Sequence, residues 1–87
     1  MKTLVNAMIL SRGQFVREMA SGVFVRYTLH KSGKSIQLVA QDKQGSQFTL
    51  GTSAGHARLW TDMNNPTRFL IDCNVHNFCV EIEGDSN

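Results

Sequence analysis

"VFVRYTLHKSGKSIQLVAQDKQGSQFTL", residues 23–50, decides the fold. Val23, Val25, Tyr27 and Leu29 alternate with Phe24, Arg26, Thr28 and His30. That period of two is the signature of a strand with one covered face. Ser32-Gly33 follows, a turn pair in which glycine supplies the positive φ of a tight loop. Ile36, Leu38 and Ala40 then alternate with Ser35, Gln37, Val39 and Gln41. With Ser32-Gly33 as a two-residue loop, Lys31 opposes Lys34, Leu29 faces Ile36, Tyr27 faces Leu38 and Val25 faces Ala40. All six apolar side chains then share one face, and a one-residue slip would destroy the match. The next turn, Lys43-Gln44-Gly45, reads as a three-residue loop with Gly45 in the left-handed position. Ala40 then faces Phe48 and Leu38 faces Leu50. The stretch predicts a three-stranded antiparallel meander.

Downstream, "GTSAGH" (51–56) is a connector by composition. "ARLW" (57–60) is a short strand. "TDMNNPTRFLIDCN" (61–74) reads as a helix over about 62–73, capped by Thr61 or Asn65, with Pro66 in the first turn where its missing N–H costs little. Pro66, Phe69, Leu70 and Cys73 make one apolar stripe at i, i+3, i+4, i+7. Asn74 is placed to end the helix in the left-handed region. Phe78, Val80 and Ile82 alternate with Cys79, Glu81 and Glu83, a last strand over 78–83 with a buried face. The tail 84–87 is expected to fray.

Upstream, residues 3–20 carry two patterns. Ser11 and Gln14 have capping-box spacing and Gly22 is a stop, which argues for a helix. Phe15, Arg17 and Met19 alternate with Val16 and Glu18, which argues for a strand, and the meander has room for another partner. The strand is the preferred reading. The expected architecture is a single α+β domain over residues 1–87. It is an antiparallel sheet of four to six strands, the meander plus strands near 57–60 and 78–83, carrying one helix on its apolar face.

Composition excludes several function classes. Eighty-seven residues leave no room for a dinucleotide-binding unit or a barrel enzyme. With 41% hydrophobic and 18% charged residues the chain is a folded globule rather than a disordered segment. "LVNAMIL" (4–10) imitates a signal peptide, but Asn6 interrupts it and "SRGQ" follows in place of a small-residue cleavage site. No apolar run approaches the ~20 residues of a membrane helix. The expected location is the cytoplasm, with no membrane association. The net charge of +2 conceals an asymmetry. Residues 1–60 carry eight basic and two acidic side chains, residues 61–87 one basic and five acidic. That division suggests a nucleic-acid face at one end or head-to-tail self-association.

"CNVHNFC" (73–79) is the most conspicuous chemical feature. As C-x-x-H-x-x-C it offers Cys73, His76 and Cys79 to a metal, with His30, His56 or an acid as a fourth ligand. A disulfide is the second reading and a helix-to-strand corner the third. Cys73 on the apolar stripe suits a small buried thiol, and Cys79 faces away from Phe78 and Val80, so the corner is preferred. His56, in a glycine-flanked loop, is the mobile candidate for Cys–His chemistry but has no acid beside it in sequence. No catalytic residue, metal or cofactor is assigned.

The basic side chains point to binding. Arg26 projects from the outer face of the meander near Thr28, His30, Gln37, Gln41 and Gln47, with Phe24 as an aromatic platform. Lys31 and Lys34 crowd one hairpin tip and Lys43 marks the other. Arg12 and Arg17 precede. These six residues are the candidate surface for nucleic acid, a protein partner or a second copy.

The segment "LGTSAGHARLWTDMNNPTRFLIDCNVHNFCVEI" resembles a pattern in small accessory proteins of plasmids and integrative elements, some partition-associated. In these a meander leads to an "RGxxRxF" strand, an "sLDxaxxFL" helix, a glycine stop and an "xFxV" strand. Gly55, Arg58, Trp60, Thr61-Asp62, Phe69-Leu70, Phe78 and Val80 match over roughly residues 50–82. Asn74 replaces the glycine, and "MNNP" departs from the usual turn. The resemblance implies a non-enzymatic interaction or regulatory protein of a bacterial mobile element. It carries no catalytic residues.

Overall fold

The structure, a computed structural model, describes residues 5–83; the expected frayed tail at 84–87 lies outside them. The chain order is β1 (Met8–Leu10), α1 (Arg12–Ala20), β2 (Phe24–Ser32), β3 (Ser35–Asp42), β4 (Gln47–Leu50), β5 (Leu59–Trp60), α2 (Asn64–Asp72) and β6 (Cys79–Ile82). The sheet runs β1-β4-β3-β2-β6, with β5 also paired to β3. Phe15 of α1 and Leu70 of α2 join Leu29, Ile36, Leu38, Ala40 and Leu50 in one core. Both helices therefore cover the same face.

The meander is present, with one corrected register. β3 and β4 pair as expected, Ala40 against Phe48, and Gly45 is left-handed at φ 88°. The Asp42 carboxylate holds that turn by accepting from the N–H groups of Gln44 and Ser46. Between β2 and β3, however, Leu29 faces Leu38 and Tyr27 faces Ala40. The loop is Gly33-Lys34, closed by Ser32 opposite Ser35. Gly33 takes the first loop position, at φ 60°, as the first residue of a type II′ turn must. The shift is two residues, so every face is preserved. Parity breaks only at Val25, where a bulge interrupts the ladder between Phe24 and Arg26. The extra residue turns Val25 outward, 55% exposed, and sends Phe24 into the core, 7% exposed. Phe24 there meets the rings of Phe15, Tyr27 and Phe48.

The sheet is mixed rather than antiparallel. β1 runs parallel to β4, and β6 parallel to β2. The cause is connectivity: β1 reaches β2 through α1, and β5 reaches β6 through α2, and a helical crossover returns the chain in the same direction. The preferred strand over 14–19 is thus a helix. Ser11 caps it, its hydroxyl accepting from Gln14 N–H at 3.2 Å, and Phe15 is wholly buried.

α2 is shorter than expected, and neither Thr61 nor Asn65 caps it. Its N-cap position is Met63, which makes no side-chain cap bond, and the Asp62 carboxylate just before it accepts from Asn64 N–H at 2.7 Å. Its C-terminus is a Schellman motif. Asn74 sits at φ 68°, Val75 N–H donates to Leu70 carbonyl at 2.8 Å, and Asn74 N–H to Ile71 carbonyl at 2.9 Å. Pro66 and Leu70 are buried and Phe69 packs beside them. The expected buried face of the last strand holds only at its start: Phe78 packs against the core, whereas Val80 and Ile82 are 49% and 67% exposed. β6 is the edge strand of the sheet, beside β2.

Candidate anion-binding cleft

The expected basic residues separate in space. Lys34 sits in the β2–β3 turn and Lys31 just before it, where Lys31 Nζ donates to Gly33 carbonyl at 2.7 Å. Lys43 occupies the β3–β4 turn at the other end of β3, about 23 Å away at ~3.3 Å per residue. Arg17 is exposed in the last turn of α1.

Arg26 does lie on the helix-free face. There Thr28, His30, Gln41 and Gln47 join it round a hollow of about 210 Å³, together with Val5, Val39 and Glu81. Three features change the reading of this face. Phe24 is not on it. β6 brings acid to it: His30 Nδ1 lies 3.1 Å from Glu81 Oε1 and Nε2 3.7 Å from Glu83 Oε1. Gln37 is buried beneath the N-terminal segment, its amide accepting from Val5 N–H at 2.9 Å and donating to Val5 carbonyl at 3.3 Å. The face is mixed in charge and partly covered.

The residues of "CNVHNFC" are divided by the sheet. Cys73 ends α2 on the helix side, in a hollow with Met19, Tyr27 and His76. Cys79 faces the other way, opposite Thr28, with Arg26 Nη2 3.8 Å from its sulfur. Both thiols are free. Burial pushes the Cys73 thiol above its ordinary range, against the pull of nearby Arg12, and raises Tyr27 as well. His76 contacts Asn74 Oδ1 at 3.0 Å, and His56 stands in its exposed loop. Among the described residues no three His, Cys, Asp or Glu side chains gather as metal ligands do.

A different cluster forms on the helix side. Arg12, Arg58 and Arg68 line a cleft of about 390 Å³ with Leu50, Trp60, Asn65, Phe69 and Asp72. Each wall has a local cause. Ser11 starts α1, so Arg12 emerges at its first turn. Arg58 leads into β5, its N–H donating to Leu50 carbonyl at 2.7 Å. Asn65, Arg68, Phe69 and Asp72 follow i, i+3, i+4, i+7 along α2, one stripe beside the buried stripe.

Two guanidiniums are seated on rings. Arg12 lies over Phe69 and Arg58 over Trp60, each 5.3 Å from the ring centroid. Such stacking fixes the plane of a guanidinium while leaving its N–H edge free to donate. The ion pairs among the described residues both involve His30, so these three cations have no carboxylate clamped to them although Asp72 shares the cleft. Converging N–H donors of this kind suit phosphate or carboxylate. Of these three arginines sequence reasoning named only Arg12 as a binding candidate; Arg58 entered only through the resemblance, with Trp60 and Phe69. The signal it passed over is the 65/68/69/72 stripe, polar and aromatic on the helix side next to the core. No family model, curated protein or solved structure matches the chain.

Proposed function

We propose that the chain is a non-enzymatic interaction module, an accessory protein of a bacterial mobile element acting in the cytoplasm, that holds nucleic acid by its phosphates in the Arg12–Arg58–Arg68 cleft. The observation that carries the reading is the pair of guanidiniums stacked at 5.3 Å on Phe69 and Trp60 with no carboxylate paired to them among the described residues. The resemblance over residues 50–82 supports the mobile-element setting, and its arginine and aromatic, Arg58 and Trp60, are two walls of the cleft.

Fluorescence anisotropy with mixed-sequence duplex and single strands tests it. Three phosphate contacts on duplex give a log–log salt slope of about −2.7, hence roughly a 40-fold loss of affinity between ~50 and ~200 mM salt. Replacing Arg12, Arg58 and Arg68 by Gln should abolish the binding. Replacing Arg26, Lys31 and Lys34 should leave most of it. The proposal fails if neither nucleic acid binds tighter than ~100 μM at low salt, the weak limit of non-specific affinity. It fails equally if the second triple substitution removes binding and the first does not.

A further inference from the structure

Among the described residues β6 pairs only with β2, and its other edge is open. Glu83 N–H donates to Lys31 carbonyl at 2.8 Å, so the odd-numbered residues of β6 turn their backbone groups towards β2. By alternation the N–H and C=O groups of Phe78, Val80 and Ile82 face outward. Above that edge, on the helix side, Val80 and Ile82 are 49% and 67% exposed. Free backbone edges beside exposed apolar side chains invite another strand, and native proteins normally block them with Lys, Pro or a covering loop. Here the edge carries neither Lys nor Pro.

We infer that the occupant is β6 of a second copy, added antiparallel about a two-fold axis at Val80. Only even sums of residue numbers pair outward-facing groups with outward-facing groups, so the registers can be compared. Centring on Glu81 would set Glu81 against its own copy, like charges directly opposed. Centring on Val80 sets Val80 against Val80, Phe78 against Ile82 and Cys79 against Glu81. The last pair decides the register. Arg26 Nη2 is 3.8 Å from Cys79 Sγ, so Glu81 of the second copy arrives beside the Arg26 guanidinium, and symmetry makes that ion pair twice. The apolar pairs meet on the helix side and the ion pairs on the other. This pairing is isologous and closes as a dimer.

The inference stands apart from the nucleic-acid reading. From the β5 of one copy to that of the other there are seven strand steps. At about 20° of twist each the two clefts turn to nearly opposite sides, so each copy binds its ligand separately.

Analytical ultracentrifugation of the native chain from about 10 μM to about 1 mM, the range of weak association, is the test. The expected mass climbs from 9.7 kDa towards about twice that value. Val80→Lys should remain monomeric throughout with an unchanged circular dichroism spectrum. Glu81→Arg should weaken association by about tenfold, and adding Arg26→Glu should restore it, which also covers the case in which Val80→Lys fails to fold. Glu81→Cys in a Cys73→Ser background reads the register once the linked peptides are mapped: centring on Val80 joins the new thiol to Cys79 of the second copy, whereas centring on Glu81 would join the two new thiols to each other. A non-hydrogen-bonded pair brings Cα atoms to about 4.5 Å, within disulfide reach, so oxidation should trap a covalent dimer. A native chain that stays at 9.7 kDa at the highest concentration overturns the inference. So does a Val80→Lys variant that still dimerises, or an oxidised Glu81→Cys dimer without the cross-link. A monomeric Val80→Lys variant should still bind nucleic acid, so failure of the cleft and failure of the edge give different results.

Discussion

Gly51→Ala is expected to unlatch β1. Gly51 N–H donates to Leu10 carbonyl at 2.8 Å, and the residue also bridges to Ala57, so the end of β1, the exit from β4 and the approach to β5 meet at one small residue. A Cβ there would lie 2.5 Å from Ile9 Cγ2 and 2.9 Å from Leu10 carbonyl oxygen. The first contact can be relieved by the half-exposed Ile9 side chain. The second is backbone, and relieving it moves the strand. Overpacking of this kind costs about 1–3 kcal/mol, and the lower entropy of an unfolded chain with alanine returns about 0.4–1 kcal/mol. The net loss is about 1–2 kcal/mol, which for a domain of this size lowers Tm by roughly 5–15 °C. Thermal melts and urea titrations would read it, with an unchanged m-value. Ile9→Ala on the same background should recover the side-chain part of the loss and leave the backbone part. Because β1 runs through Ser11 into Arg12, the variant should also weaken nucleic-acid binding. If Gly51→Ala melts at or above the native temperature, β1 does not dock as described and the seat of Arg12 is wrong with it.

Three further outcomes are expected. Gly13→Ala meets nothing within 4 Å and lies in helix α1, so it should stabilise by about 0.5–1 kcal/mol, the opposite sign to Gly51→Ala in the same melt. Asn74→Gly should be neutral or slightly stabilising in urea, and Asn74→Ala should cost about 1–2 kcal/mol, since Asn74 holds φ 68° at the end of α2. Stability should also fall in alkali. Burial raises the folded-state pKa values of Cys73 and Tyr27 above those of the free side chains. A raised value means that the neutral form is favoured by folding, so the contribution is complete below the unfolded pKa and is lost as pH rises through the folded one. Cys73→Ala and Tyr27→Phe should flatten the decline above pH ~9 in urea midpoints measured across pH.

The sequence revealed most where one local device determined the outcome. Gly45 closes a three-residue loop, and the β3–β4 register follows from it. Gly33 allows two loop frames, Ser32-Gly33 or Gly33-Lys34, and only the turn's demand for glycine in its first position separates them. Both frames keep Tyr27, Leu29, Leu38 and Ala40 on one face, which is why the core was legible when the pairing was not. Val25 was misread because a bulge leaves no period to count. The parallel pairing of β1 and β6 depends on crossovers through α1 and α2. Nothing in residues 8–10 or 79–82 records which neighbour those crossovers reach.

The same crossovers explain why charge along the chain is a poor guide to charge in space. By sequence, residues 1–60 are basic and 61–87 acidic, which suggested a molecule with a positive and a negative end. Folding interleaves the two halves. β6, the acidic strand, lies along β2, so Glu81 and Glu83 reach His30 and share the outer face with Arg26. Meanwhile α2 carries Arg68, the one basic residue of the acidic half, across the helix side to Arg12 and Arg58. The outer face thereby loses the uniform positive potential that a phosphate backbone requires. The helix side instead gains three guanidiniums drawn from α1, the β5 approach and α2, segments 46 and 10 residues apart in sequence. A cleft assembled in this way depends on how the strands are ordered. Any change that shifts a strand, as Gly51→Ala is expected to do at β1, should reach the binding surface through Arg12 as well as the core through Leu10.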